Sequence, residues 1–313
     1  MSRQLSGLIV KEQSGFFWVE AQDGVTYTCR LRGRLMEAAQ ASDIAAIGDR
    51  VCIDALPDGT GAIEDVLPRV GVISRAVRTE GARGAGSPER EHVIVANVDQ
   101  AFFVFAVAAP LPNWKMLDRF LVVGERAGIE KVTIVANKID LVDDARRTFA
   151  PYEQIGYPII YTSALTGAGV LELRALLKDK ISVFTGPSGV GKTSLLNTIS
   201  PDAGRAVKAV SNYSQEGVHT TRDSQLIRLV EGGYVADTPG IRQLALWDIE
   251  PSELDGYFRE IAPLVSACRF RDCLHRREPG CAVRHAVETG TLSRSRYESY
   301  LSLRDELDVA YAI

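Results

Sequence analysis

The stretch Ile181-Ser182-Val183-Phe184-Thr185, followed by Gly186-Pro187-Ser188-Gly189-Val190-Gly191-Lys192-Thr193 and then Ser194-Leu195-Leu196, reads as an apolar strand, a G-x-x-x-x-G-K-[ST] loop and the opening of a helix. In that setting the glycines let successive main-chain N–H groups curl around phosphate oxygens where the helix begins, and the helix dipole favours negative charge there. Gly186, Ser188, Gly189, Val190, Gly191, Lys192, Thr193 and Ser194 are the candidate phosphate cradle. The Lys192 ammonium is expected to reach the β and γ phosphates and the Thr193 hydroxyl to ligate Mg²⁺.

Upstream, Ala101–Val107, Val132–Ala136 and Ile159–Thr162 are continuous apolar runs of strand length, separated by helical patterns such as Leu117–Ala127 and Val170–Leu177. Strands apolar on both faces that alternate with helices imply a parallel sheet covered by helices. Directly after the run Val132–Ala136 stands Asn137-Lys138-Ile139-Asp140, and after Ile159–Thr162 stands Ser163-Ala164. A carboxylate at Asp140 can accept both the ring N–H and the exocyclic amine of guanine, whereas adenine offers no ring N–H there. Asn137, Lys138, Asp140, Ser163 and Ala164 are thus candidate base-binding residues, and they argue against an ATP-dependent kinase built on the same phosphate loop.

Downstream, Asp237-Thr238-Pro239-Gly240 matches D-x-x-G after the strand-like Tyr234-Val235-Ala236. Asp237 is expected to hold Mg²⁺ through water, and the Gly240 N–H to bond the γ phosphate. Between this motif and the phosphate loop lies the polar segment 205–223, ending Gly217-Val218-His219-Thr220-Thr221-Arg222-Asp223. Thr221, with Thr220 as the alternative, is the candidate to complete a Mg²⁺ shell of Thr193, Thr221 and Asp237. Ile241 occupies the position after Gly240, and an isoleucine cannot orient an attacking water. His219 is the candidate for that task. The base-reading motifs precede the phosphate loop, the reverse of the usual order, so the pattern is that of a circularly permuted GTPase.

Residues 1–72 have a different rhythm, with Leu5–Val10, Phe16–Glu20, Thr26–Leu31, Arg50–Leu56 and Ala62–Val66 broken by turn residues. Five short strands suggest a small barrel of OB type, although an SH3-like barrel would read almost the same. Residues 73–92, rich in arginine and glycine, read as a linker. Near the C-terminus, Cys268, Cys273, His275 and Cys281 stand in a C-x4-C-x-H-x5-C spacing, a full tetrahedral set for one structural Zn²⁺. Arg269, Arg271, Arg276, Arg277 and Arg284 crowd that set, either to contact RNA phosphates or to offset the negative charge of a three-thiolate zinc centre. Composition fits a globular protein: 313 residues, 46% apolar, 24% charged and a net charge of −4, which excludes a polycation that coats nucleic acid indiscriminately. The first residues lack the apolar stretch of a secretory signal, and a cytoplasmic protein without membrane association is expected.

Barrel, permuted motifs and zinc spacing in this order resemble the ribosome small subunit-dependent GTPase A family, over nearly the whole chain. The resemblance implies an OB fold at 1–72, a permuted GTPase domain at 93–247 and a mostly helical zinc-binding domain at 248–313. It further implies a monomeric enzyme that hydrolyses GTP to GDP, binds the 30S subunit and its 16S rRNA, acts late in its maturation and is stimulated by it. Pro187 and Arg222 depart from the commoner family pattern without removing a phosphate or Mg²⁺ ligand. The competing expectation is a passive RNA-binding scaffold that holds guanine nucleotide and hardly turns over, which would leave Thr193, Thr221 and Asp237 without a use.

Overall fold

The computed structural model describes residues 2–38, 42–78, 89–201, 224–237 and 249–311. The first five strands, β1 (Arg3–Gln13), β2 (Phe16–Ala21), β3 (Thr26–Leu31), β4 (Arg50–Ala55) and β5 (Thr60–Val66), close on themselves in the order β1-β2-β3-β5-β4 and back to β1. Only the β3–β5 contact is parallel. Closure removes the sheet edges, and this connectivity is that of an OB-type barrel. Alternate residues of β2 point inward, with Phe17, Val19 and Ala21 buried and Phe16, Trp18 and Glu20 outside. A short helix, α1 (Gly33–Ala38), follows β3.

The span 73–92, expected to be a linker, instead carries two strands, β6 (Ile73–Arg78) and β7 (Glu89–Val95), paired antiparallel in a sheet of their own. Its buried residues, Ile73, Val93, Ile94 and Val95, gather at one end of the ribbon, so the apolar alternation that betrays a strand is missing along the rest of its sequence.

The central domain is a six-stranded sheet built from β8 (Gln100–Ala106), β9 (Lys131–Asn137), β10 (Ile159–Thr162), β11 (Ile181–Thr185), β12 (Ser224–Arg228) and β13 (Tyr234–Asp237). Its spatial order is β10-β9-β8-β11-β13-β12, parallel except for β12. Counted from β11, with β8 placed after β13, the order becomes 2-3-1-4-5-6, a doubly wound sheet whose winding reverses between β11 and β8. The sheet is therefore ordinary and only the opening of the chain is displaced, which is what circular permutation does.

Helices α2 (Trp114–Arg126) and α3 (Ala145–Ile155) cover one face, and α4 (Val170–Leu177) and α5 (Lys192–Ile199) the other. The sorting follows the period of β8. Ala101, Phe103 and Phe105 pack with Leu117, Phe120 and Phe149, whereas Phe102, Val104 and Ala106 pack with Leu173, Leu177 and Leu195.

The C-terminal region is helical: a 3₁₀ turn at Leu254–Tyr257, then α6 (Ala262–Val265), α7 (Ala282–Glu288) and α8 (Arg294–Tyr311). Helix α2 serves two cores at once. Leu117, Phe120 and Leu121 face the sheet, while Val122 joins Leu254, Phe258, Tyr300 and Leu303 of the C-terminal module.

Candidate functional site

The strands β8, β9, β10 and β11 end together, and the loops that follow them carry the motifs. Ligands of doubly wound sheets bind outside these carboxyl ends at the point where the winding reverses, here between β11 and β8. The phosphate loop leaves β11 and enters α5 with Gly191 in the left-handed conformation as its N-cap. Two glycines are demanded by close approach. A Cβ on Gly186 would lie 2.1 Å from the Val104 carbonyl oxygen, and one on Gly191 would lie 2.4 Å from Asn137 Nδ2.

The Leu195 N–H donates to the Gly191 carbonyl, and the first N–H groups of a helix point outward at its N-terminus, where an anion can meet them. Lys192 Nζ donates to the carbonyls of Gly186 and Pro187 at 2.7 and 2.5 Å. Phosphate oxygens offer this ammonium a charged acceptor in place of two neutral ones. Thr193 stands half-buried in the first turn of α5, while Ser188, Gly189 and Ser194 are exposed and Val190 is buried.

Asn137 is 1% exposed and both of its amide atoms are engaged by the protein. Nδ2 donates to the Val190 carbonyl at 2.8 Å, and Oδ1 accepts from Thr162 Oγ1 at 3.1 Å. It braces the phosphate loop against β9 and β10, and this takes only one of its two Nδ2 hydrogens. Lys138 adopts a left-handed conformation, φ 64°, and its ammonium donates to the Ala109 carbonyl.

Asp140 is exposed. Its Oδ1 accepts from the buried Ser163 hydroxyl at 2.5 Å, and that hydroxyl accepts in turn from the Thr166 N–H at 3.1 Å. A carboxylate has about four acceptor positions, so one bond to Ser163 fixes its orientation and leaves capacity for two donors on a base. Ala164, half-buried, follows in the same loop.

Strand β13 brings its end beside this site, since Val183 of β11 pairs with Ala236 and Asp237 comes next. The Asp237 side chain, and His219, Thr220, Thr221, Gly240 and Ile241 entirely, lie outside the described residues.

Some 30 residues beyond Asp237, the ligand atoms of Cys268, Cys273, His275 and Cys281 all lie within 4.8 Å of one another. Burial pushes the Cys273 thiol up to about 12 and raises that of Cys281 as well. Such thiols stay protonated at neutral pH unless a cation binds, and a coordinated divalent metal removes those protons outright. Three thiols and an imidazole converging in this way fit one tetrahedral metal ion. The other two cysteines, Cys29 and Cys52, belong to the barrel.

Sequence reading missed the groups that hold this cluster in place. Asp255 Oδ2 lies 3.1 Å from His275 Nε2, and the Tyr297 hydroxyl donates to the His275 carbonyl at 2.5 Å. The Glu278 carboxylate accepts from the N–H groups of Leu274, Arg276 and Arg277 at 3.2, 2.8 and 2.9 Å. Burial acts to raise its pKa, but these main-chain bonds prevail and hold it below the usual carboxylate range. Of the five arginines, Arg276 pairs with Asp305 and Asp308 and Arg284 with Glu288, whereas Arg269, Arg271 and Arg277 are exposed.

Comparison with known proteins agrees with this architecture. A family model described as RsgA GTPase matches residues 66–247, and another, the RsgA N-terminal domain, matches residues 6–63. The chain is 43% identical over 311 residues to the small ribosomal subunit biogenesis GTPase RsgA of Gemmatimonas aurantiaca, covering 98% of this chain and 99% of that one. It is 42% identical over 307 residues to the protein of the same name from Moorella thermoacetica, covering 97% of each. Among solved structures, YjeQ from Thermotoga maritima superposes with a TM-score of 0.76 at 37% identity, over 97% of this chain and 99% of that one. YloQ, described as a circularly permuted GTPase, gives 0.73 at 31% identity, over 98% and 96%.

Proposed function

The chain belongs to the RsgA GTPase family, and from that premise we propose that it is a GTP-hydrolysing enzyme of small ribosomal subunit biogenesis whose turnover is stimulated by the 30S subunit. The observation that carries this reading is the direct bond between motifs permuted in sequence, from Asn137 Nδ2 to the Val190 carbonyl. Through it the base loop and the phosphate loop form one site, in which Asp140, oriented by Ser163, selects guanine.

In that site the N–H groups opening α5 receive the phosphates, and Lys192 exchanges its loop carbonyls for the β and γ oxygens, drawing charge from them as the leaving oxygen develops its own. Thr193, Thr221 and Asp237 would hold Mg²⁺, which when bound would supply further neutralisation of the phosphate charge. His219 orients the attacking water, a task Ile241 has no atom to perform. The 30S subunit acts through His219, which accounts for stimulation. The Cys268, Cys273, His275 and Cys281 set holds one structural Zn²⁺. The barrel and the exposed Arg269, Arg271 and Arg277 meet 16S rRNA. The enzyme works as a cytoplasmic monomer. Among the described residues, no helix is long and apolar enough to cross a membrane.

The test is steady-state hydrolysis of GTP and of ATP with and without 30S subunits at low salt. Strong stimulation confined to GTP is expected, and tight GTP binding without stimulation would favour the passive scaffold. His219→Ala is expected to lower the stimulated rate by about 10²-fold or more while leaving GTP affinity unchanged. An unaltered stimulated rate would remove His219 from the mechanism.

A further inference from the structure

We propose that Asp255 is a positioning residue of the metal centre, fixing the tautomer and orientation of His275 so that Nδ1 is the ligand atom. This rests on the zinc reading given above. His275 is fully buried, and a neutral imidazole has one donor nitrogen and one acceptor nitrogen. Nε2 lies 3.1 Å from Asp255 Oδ2, so the proton belongs on Nε2. Nδ1 is then the acceptor nitrogen, and it lies 3.4 Å from Cys281 Sγ and 3.6 Å from Cys268 Sγ, among the thiols that would hold the ion. A carboxylate on the far side of a ligating imidazole also makes the ring a better electron donor to the metal.

Asp255 reaches the centre from outside the metal loop. It sits on the 3₁₀ turn Leu254–Tyr257, whose Leu254 is buried in the core that contains Val122 of α2. The carboxylate itself is mostly buried, with its side chain 15% exposed. Tyr297 of α8 holds the carbonyl of the same histidine, which stands in the left-handed conformation at φ 60°. His275 is thus gripped at ring and backbone by two elements that contribute no ligand. Through Asp255 the metal centre is joined to the segment beginning at Ile249, which follows the D-x-x-G region in the chain.

The experiment is Zn²⁺ binding by the full-length protein without nucleotide, measured by competition with a chromophoric chelator. The set is the parent, Asp255→Asn, Asp255→Ala, His275→Cys and the double variant His275→Cys/Asp255→Asn. Asp255→Ala is expected to weaken Zn²⁺ binding by about 10- to 100-fold, and the isosteric Asp255→Asn by less. In the His275→Cys variant there is no imidazole to orient, so adding Asp255→Asn should cause no further loss.

Parent affinity in both Asp255 variants would overturn the proposal. So would an equal loss from Asp255→Asn in the parent and in the His275→Cys variant, because that would mark a general structural role. GTP affinity, read at the distant Asp140 loop, should be unchanged in every variant that has folded. A parent chain that binds no Zn²⁺ would remove the metal reading itself, an outcome distinct from parent binding that Asp255 does not influence.

Discussion

The central domain is joined to its two neighbours in different ways. At the barrel, main-chain bonds join an apolar core that runs unbroken from Ile9 and Ile47 through Ile94 and Val95 to Ala101 and Phe103, and no buried ion network crosses it among the described residues. β1 pairs with β12 through Lys11 with Gln225 and Glu12 with Ser224, the Ala96 N–H donates to the Ile47 carbonyl at 2.9 Å, and Asn97 Nδ2 donates to the Gly48 carbonyl at 2.9 Å. One buried ion pair, Arg69 with Asp49 at 2.8 Å, clips the chain as it leaves the barrel. At the C-terminal module, the joint is side chains and buried charge. Arg296, 2% exposed, lies between Asp118 of α2 and Glu260, each at 2.5 Å, and its guanidinium stands 4.6 Å from the Phe258 ring. Tyr152 of α3 donates to the same Asp118 oxygen at 2.7 Å, and Arg259 pairs with Glu125 at 2.6 Å. A main-chain seam tolerates changes of side chain, whereas a buried ion network fails when one member is removed, because the others are left charged without partners.

The contrast is open to direct attack. Arg296→Ala strands Asp118 and Glu260, and urea unfolding is expected to show a loss of about 3–5 kcal/mol, with the C-terminal module losing hydrogen-exchange protection first. A loss below about 1 kcal/mol would mean that apolar packing around Val122 is sufficient to hold the module. Asp49→Ala removes the charged partner of Arg69 and the acceptor for the Ala46 N–H, and should lose about 2–3 kcal/mol by the same measurement. Glu20→Ala removes the exposed pair with Arg228 and the bond to the Tyr234 hydroxyl across the seam. Its effect should stay within about 1 kcal/mol, and a larger one would show that the barrel joint depends on exposed side chains after all.

The same contrast explains what the sequence could disclose. The five barrel strands, the strands that end at the site and the metal ligands were legible because each has a local signature: a period, a glycine-bearing loop, a ligand spacing. Strand β12 and its pairing with β1 were not, since main-chain bonds between residues more than 200 positions apart leave no mark on side-chain type. Helix α3 escaped because Pro151 inside it argues against a helix, although Asp144 caps it through the Arg147 N–H. Arg296 reads as one more charge on a polar helix, and its burial depends on Asp118, 178 positions away. Asn137 was legible as part of a motif, but its bracing bonds were not, since they depend on Val190 and Thr162 converging on it.

The central claim is that guanine is read by a loop preceding the phosphate loop in the chain, with Asp140 as the reader. Replacing Asp140 by asparagine, and supplying GTP or xanthosine triphosphate with 30S subunits present, tests it directly. The amide cannot accept from both guanine donors but can donate to the carbonyl that xanthine carries in place of the exocyclic amine. GTP turnover at limiting substrate is expected to fall about 10- to 100-fold, with turnover restored by xanthosine triphosphate. Undiminished GTP turnover in Asp140→Asn, with no gain for the xanthine nucleotide, would contradict the account.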